Sequence, residues 1–226
     1  MKKAMFNTYD PFTNEVLQNY EYLNSDQIET QMSRAFKAYE DNKTKTVSFK
    51  VLLLQKLASA LRSQSESLAK IITQETGKAI KSSLQEIEKS VKTYDYFSEN
   101  LELLLANESA NSSYSKSVIV KDSIGPILAI MPWNFPLWQL TRFAAPSVGI
   151  GNPILMKHSD LTAGTAKLIT DIFNDVEHGL IFNMCIDHDQ ASDLIADSRV
   201  RGITLTGSTA AGRAVAATAG KYLKII

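Results

Sequence analysis

Ile127-Leu128-Ala129-Ile130-Met131-Pro132-Trp133-Asn134-Phe135-Pro136 is where the chain declares its architecture, because an unbroken apolar run passes directly into an asparagine set between two prolines. Apolar residues without polar alternation mark a strand buried on both faces of a parallel sheet. Proline locks its own φ and keeps the residue before it extended, so the chain leaves the strand end in a defined direction. An amide fixed there is a neutral donor suited to developing negative charge. The same pentapeptide also reads as a rigid proline-bracketed turn with Trp133 as a packing aromatic, and the local sequence leaves both readings open.

From Ile124 onward this texture repeats. Short apolar runs at 126–131, 153–157, 181–186 and 201–206 alternate with helical patterns at 137–149, 162–175, 189–197 and 208–219. That βαβα rhythm specifies an α/β protein with a parallel sheet. Ligands of such sheets sit at the carboxyl ends of the strands. Those ends carry Trp133-Asn134, Lys157-His158-Ser159-Asp160, Cys185 and Gly207-Ser208.

Upstream, Ile80, Leu84, Ile87, Val91 and Tyr94 recur at helical spacing on one face. The pattern predicts three helices, near 25–40, 48–76 and 80–99, the first capped by Ser25 and the last two separated at Gly77. The Ser/Asn-rich segment Asn107–Ser117 breaks the periodicity, and Val118-Ile119-Val120 then reads as one arm of a hairpin whose turn lies in that polar stretch.

At 226 residues the chain is long enough for a substantial core, and Lys+Arg 24 against Asp+Glu 24 leaves no electrostatic signature. Nucleic acid and acidic membranes are therefore not expected partners. Cys185 is the only cysteine, which excludes an intrachain disulfide and a CxxC metal site and fits a reducing compartment, the cytoplasm by default. Met1-Lys2-Lys3-Ala4-Met5-Phe6-Asn7 is positive but runs into Thr8-Tyr9-Asp10-Pro11 instead of an apolar core, so no secretory signal is expected. No window is long and apolar enough for a membrane span, and Asn107-Glu108-Ser109 and Asn111-Ser112-Ser113 read as a polar loop although they match the glycosylation pattern.

Three clusters carry chemistry. Gly207-Ser208-Thr209-Ala210-Ala211-Gly212 lies between a strand and an Ala-rich helix, where phosphate groups are favoured, but Arg213-Ala214 replaces the Lys and Ser/Thr of a Walker A loop. Ser208 is equally suited to a plain N-cap. Lys157 and Asp160 stand three apart where a strand turns into a helix and together would hold the two hydroxyls of a ribose; capping by Ser159 or Asp160 beside a solvated lysine is the rival reading. Cys185 has apolar neighbours, as inert cysteines do, and His188 beside it suits capping better than catalysis. Gly149-Ile150-Gly151 precedes a strand and lacks the third glycine of the dinucleotide fingerprint.

Pro132-Trp133-Asn134-Phe135-Pro136, Lys157 with an acidic residue three on, and Gly207-Ser208-Thr209 with Gly212 resemble, in this order and spacing, the aldehyde dehydrogenase superfamily. Asp10-Pro11-Phe12-Thr13-Asn14-Glu15-Val16 looks like its opening turn, Gln74-Glu75-Thr76-Gly77-Lys78 like its helix junction, and Arg199-Val200-Arg201-Gly202-Ile203 like the strand before its phosphate loop, so the likeness covers essentially the whole chain. It implies N-terminal helices packed on a parallel Rossmann-like sheet: residues 1–100 as the helical part of a cofactor domain, 101–121 as a protruding oligomerisation hairpin and 122–226 as the NAD(P)-binding part.

The implied chemistry is attack of a cysteine thiolate on a small aldehyde, hydride transfer to NAD(P), and release of the acid by water that a glutamate activates. Asn134 matches the catalytic amide that holds the oxyanion. Ile130, Pro132, Trp133, Asn134, Lys157, Ser159, Asp160, Gly207 and Ser208 match the cofactor contacts, with Trp133 along the cofactor, Lys157 and Asp160 at the adenosine ribose, and Gly207-Ser208 at the pyrophosphate. NAD is expected over NADP, because the Asp160 carboxylate would favour a ribose 2′-OH and repel a 2′-phosphate. The family's Glu-Leu-Gly-Gly segment with the general base has no counterpart in Lys221-Tyr222-Leu223-Lys224-Ile225-Ile226, and its nucleophilic cysteine lies later still. The expectation is thus a cofactor-binding half without the catalytic domain, similar in tone to the succinate-semialdehyde group and a homo-oligomer through the hairpin; a non-catalytic nucleotide-binding or interaction protein is the alternative. His158 stands where the family usually has proline, and Asp160 where glutamate is commoner.

Overall fold

A computed structural model describes residues 5–226. Residues 1–4, on which part of the expectation about a secretory signal falls, lie outside the described residues. The described chain opens with an antiparallel hairpin of β1 (Met5–Tyr9) and β2 (Val16–Glu21), which the helical reading of the first hundred residues does not contain. Its turn is organised by the Asp10 carboxylate, which accepts from the amides of Phe12 (2.8 Å) and Thr13 (3.3 Å).

Four helices follow, not three: α1 (Ser25–Asn42), α2 (Val47–Ser63), α3 (Ser65–Thr76) and α4 (Ile80–Leu104). The cap of α1 is Asn24, not Ser25; Asn24 accepts from the Gln27 amide and Gln27 reaches back to the Asn24 amide, a reciprocal box. The helix expected over 48–76 divides at Gln64 without any glycine or proline, and the break sets α3, with its buried face of Leu68, Ala69 and Ile72, against α4 and α6. Gly77 ends α3 in the left-handed region (φ 72°), the conformation glycine adopts without strain. A short hairpin, β3 (Glu108–Ser109) with β4 (Val118–Ile119), follows α4; Val120 lies outside the strand, and Val118, Ile119 and Val120 are all exposed.

The remaining elements alternate as the sequence predicts: β5 (Ile127–Ile130), α5 (Pro136–Ile150), β6 (Ile154–Lys157), a single 3-10 turn (Asp160–Thr162), α6 (Ala163–Val176), β7 (Ile181–Asn183), α7 (His188–Ala196), β8 (Gly202–Leu205) and α8 (Thr209–Lys221). The four strands are parallel in the order β7-β6-β5-β8. From β5 the chain steps outward twice and then returns to the other side of β5, so the strand order reverses between β5 and β8. Ligand crevices of open parallel sheets form at such a reversal.

The pleat splits the core in two. Ala129, Ile154, Met156 and Ile181 face α2 to α6, whereas Leu128, Leu155, Phe182 and Ile203 face α1, α7 and α8. Among the described residues no helix is long and apolar enough to cross a membrane, and no group of three or more His, Cys, Asp or Glu is placed to hold a metal ion.

Candidate functional site

Register builds the site. Ile130 pairs with Lys157 on one side and Leu205 on the other, so the last residues of β5, β6 and β8 stand abreast. Beyond them lies a groove of about 470 Å³ lined by Ile130, Lys157, Leu205, Ser208 and the facing sides of α7 and α8. None of its lining residues is acidic. Lys157 is only 6% exposed, and its ammonium has no hydrogen-bond or ion-pair partner among the described residues. The stem of Lys157 is packed between the strands and its charged end opens on the groove.

Gly207 leads into Ser208, whose hydroxyl caps α8 by accepting from the Ala211 amide at 3.2 Å. Ser208 is therefore both a cap and a wall of the groove, and the first amides of α8 have no partner within the helix. A Cβ at Gly212 would meet nothing within 4 Å, so packing inside this chain does not require glycine there.

The turn after β6 divides the residues that sequence reasoning grouped. Asp160 does not pair with Lys157. Its carboxylate accepts from the Tyr22 hydroxyl at 2.5 Å and, with Ser159 and Cys185, borders a separate cavity of about 120 Å³. Ser159 caps the 3-10 turn. His158 is buried, and its Nδ1 accepts from the Ser159 amide at 3.0 Å, which places the proton on Nε2, facing the Pro136 carbonyl at 3.0 Å. Burial holds this imidazole down at about 4, so it is neutral. His158 thus ties the turn after β6 to the start of α5, beside the loop carrying Asn134.

That loop is exposed at Trp133, Asn134 and Phe135, with Pro132 half-buried and Pro136 buried at the start of α5. The Asn134 side-chain oxygen accepts from the Phe135 amide at 3.1 Å, which leaves its NH2 group without a partner among the described residues. The Asn134 carbonyl accepts from Lys78 at 3.0 Å. Lys78 also donates to Glu86 at 2.5 Å, and the second oxygen of Glu86 accepts from the amides of Leu137 and Trp138 at 2.8 and 2.9 Å. Glu86 therefore serves as the anionic cap of α5, while Lys50, also buried, donates to the Ile150 carbonyl at its other end (2.7 Å). Glu75 does for α6 what Glu86 does for α5, accepting from the Gly164 and Thr165 amides at 2.8 Å each.

Sequence reasoning saw Glu75 and Lys78 only as a helix junction and missed Glu86; the available signal was a carboxylate on the apolar face of α4. It also missed Arg142, which is exposed on α5, donates to the Thr206 hydroxyl at 3.2 Å and has no carboxylate partner among the described residues. Burial first, and then the Asp160 carboxylate, push the Cys185 thiol up to about 11, so it is no ready nucleophile at neutral pH. His188, the first residue of α7, whose cap is Asp187, also lines the groove.

The model of the aldehyde dehydrogenase family matches residues 1–226. The NAD(P)+ succinate semialdehyde dehydrogenase Sad of Escherichia coli is 36% identical over 217 residues, which are 95% of this chain and 47% of that protein. The NADP+ succinate-semialdehyde dehydrogenase of Deinococcus radiodurans is 31% identical over 97% of this chain and 46% of its own length. The crystal structure of succinic semialdehyde dehydrogenase from Streptococcus pyogenes in complex with NADP+ superposes with a TM-score of 0.94 at 31% identity, covering 97% of this chain and 49% of that one. The chain spans about half the length of the curated relatives it matches. With the family model matched from end to end and the fold shared, this chain belongs to the aldehyde dehydrogenase family.

Proposed function

We propose that this chain is the cofactor-binding half of an NAD(P)-dependent oxidoreductase that oxidises a small aldehyde, of the succinic semialdehyde class, to its acid. The observation that carries the reading is the unpaired, nearly buried Lys157 opening on an acid-free groove at the strand-order reversal. These donors fit an adenine dinucleotide: Lys157 for the hydroxyls or phosphate of the adenosine ribose, Ser208 and the first amides of α8 for a pyrophosphate, and the apolar faces of α7 and α8 for adenine. When bound, the cofactor supplies the hydride acceptor.

Asn134 presents its free NH2 group to the carbonyl oxygen of the aldehyde, and the grip of Phe135, Lys78 and Glu86 fixes that donor before charge develops. Arg142, on the helix α5 that follows the Asn134 loop, offers a cation for the distal carboxylate of a semialdehyde acid. The names of the relatives, succinate-semialdehyde dehydrogenases using NADP+ or NAD(P)+, support this substrate class.

Titrating the purified chain with NAD+ and NADP+, followed through the fluorescence of its two tryptophans, Trp133 and Trp138, tests the reading. Saturable one-to-one binding is expected. A chain that binds neither dinucleotide at millimolar concentration refutes it.

A further inference from the structure

Tyr22 sits just after β2, far in sequence from the cofactor motifs, yet its hydroxyl reaches the Asp160 carboxylate at 2.5 Å. Its position is fixed from three sides. The ring stacks on Phe6 with centroids 4.8 Å apart, the following Leu23 amide donates to the Cys185 carbonyl at 2.8 Å, and the Leu23 carbonyl accepts from Gln190 at 2.7 Å. Burial, and then the hydrogen bond to Asp160, raise the phenol far above its usual range, so it remains a donor at every working pH. Asp160 accordingly borders the small cavity beside Phe6, Tyr20 and Cys185, while Lys157, three residues before it, borders the groove alone.

We propose that Tyr22 is a positioning residue for cofactor discrimination: by holding the Asp160 carboxylate on the far side of the turn, it keeps the ribose end of the groove free of negative charge and open to a 2′-phosphate. This rests on the groove being the adenosine site, and it reverses the preference that Asp160 implies when its sequence position is read alone. With Tyr22 in place, a 2′-phosphate meets the unpaired Lys157 ammonium and no carboxylate of the groove lining. With Tyr22 removed, the freed carboxylate competes with that phosphate for Lys157 and repels it.

The test is calorimetric titration of the intact chain with 2′,5′-ADP and with 5′-AMP, which differ only in the 2′-phosphate. The unaltered chain is expected to bind 2′,5′-ADP about tenfold more tightly than 5′-AMP, and Tyr22→Phe to abolish most of that ratio without weakening 5′-AMP. Adding Asp160→Asn to Tyr22→Phe restores the ratio. A loss due to general damage around the aromatic hairpin would not be restored. Asp160→Asn alone supplies a second reading should Tyr22→Phe fold poorly, because a carboxylate already held away from the groove leaves the ratio within about twofold when neutralised. An unchanged ratio in Tyr22→Phe, or a large rise in Asp160→Asn alone, overturns the proposal while leaving the cofactor site standing. Binding of neither ligand by the unaltered chain overturns the site and the proposal together.

Discussion

Glu86 and Lys78 form one unit at the root of the Asn134 loop, 2.5 Å apart, with the Glu86 side chain fully buried and Lys78 bridging to the Asn134 carbonyl. Removing the carboxylate uncaps α5 and leaves Lys78 without its counter-charge. Glu86→Ala is therefore expected to destabilise the chain by on the order of 3 kcal/mol. A thermal melt is the check, since each kcal/mol shifts Tm by about 2–4 °C for a chain of this size. A melt within a degree of the unaltered protein would show that the pair does not hold the loop.

His158 makes the fold sensitive to acid. Its native value, about 4, lies below the ordinary 6.5, so the unfolded chain takes up the proton first and stability falls as pH drops from 6.5 through 4. The full loss is on the order of 3 kcal/mol, and it is absent above 6.5. Urea unfolding across this window should show the slope in the unaltered chain and a flatter profile in His158→Gln. Equal slopes in the two proteins would assign the acid sensitivity to other groups.

Gly164 lets α6 pack tightly against Glu75 and Ile71 of α3 and against Tyr20. A Cβ there would lie 2.8 Å from Glu75 Oε1, 2.8 Å from Ile71 Cδ1 and 3.0 Å from the Tyr20 hydroxyl. Gly164→Ala should cost about 1–3 kcal/mol in chemical denaturation, because the cap of α6 has to move. Gly212→Ala, with nothing within 4 Å, is the control expected to leave stability near its original value.

Cys185 should not act as a nucleophile. With the thiol pushed up to about 11, only a trace is thiolate at neutral pH, and the group sits beside a carboxylate. The 226 residues alone are expected to form no reduced nicotinamide from succinic semialdehyde and NADP+, and Cys185→Ser to change nothing in that assay. Turnover abolished by Cys185→Ser would contradict the structural account of this thiol.

The βαβα half was legible in the sequence because buried parallel strands and their crossover helices leave strong local marks: the runs around Ile127, Ile154, Ile181 and Ile203 all became strands. The break at Gln64 was not legible, since tertiary packing of α3 redirects the chain there without a glycine or proline. The opening hairpin was missed for a related reason: Phe6, Tyr20 and Tyr22 stack across a turn, and stacking between distant residues leaves no period to count. At the site, residue types and their strand-end positions were readable at Asn134, Lys157 and Ser208. The partners were not. Tyr22 lies 138 residues from Asp160, and Glu86 lies 51 from Leu137, so only the fold reveals which carboxylate caps a helix and which is turned away from the groove.

The central claim is that Lys157 waits unpaired for the adenosine end of a cofactor, and Lys157→Met tests it most directly because the change keeps the volume and removes only the charge. Calorimetric titration with NADP+ is predicted to show affinity reduced at least about tenfold, with an essentially unchanged melting temperature, because the Lys157 ammonium opens on the groove and has no hydrogen bond or ion pair among the described residues to lose. Undiminished NADP+ affinity in a well-folded Lys157→Met chain would contradict the account.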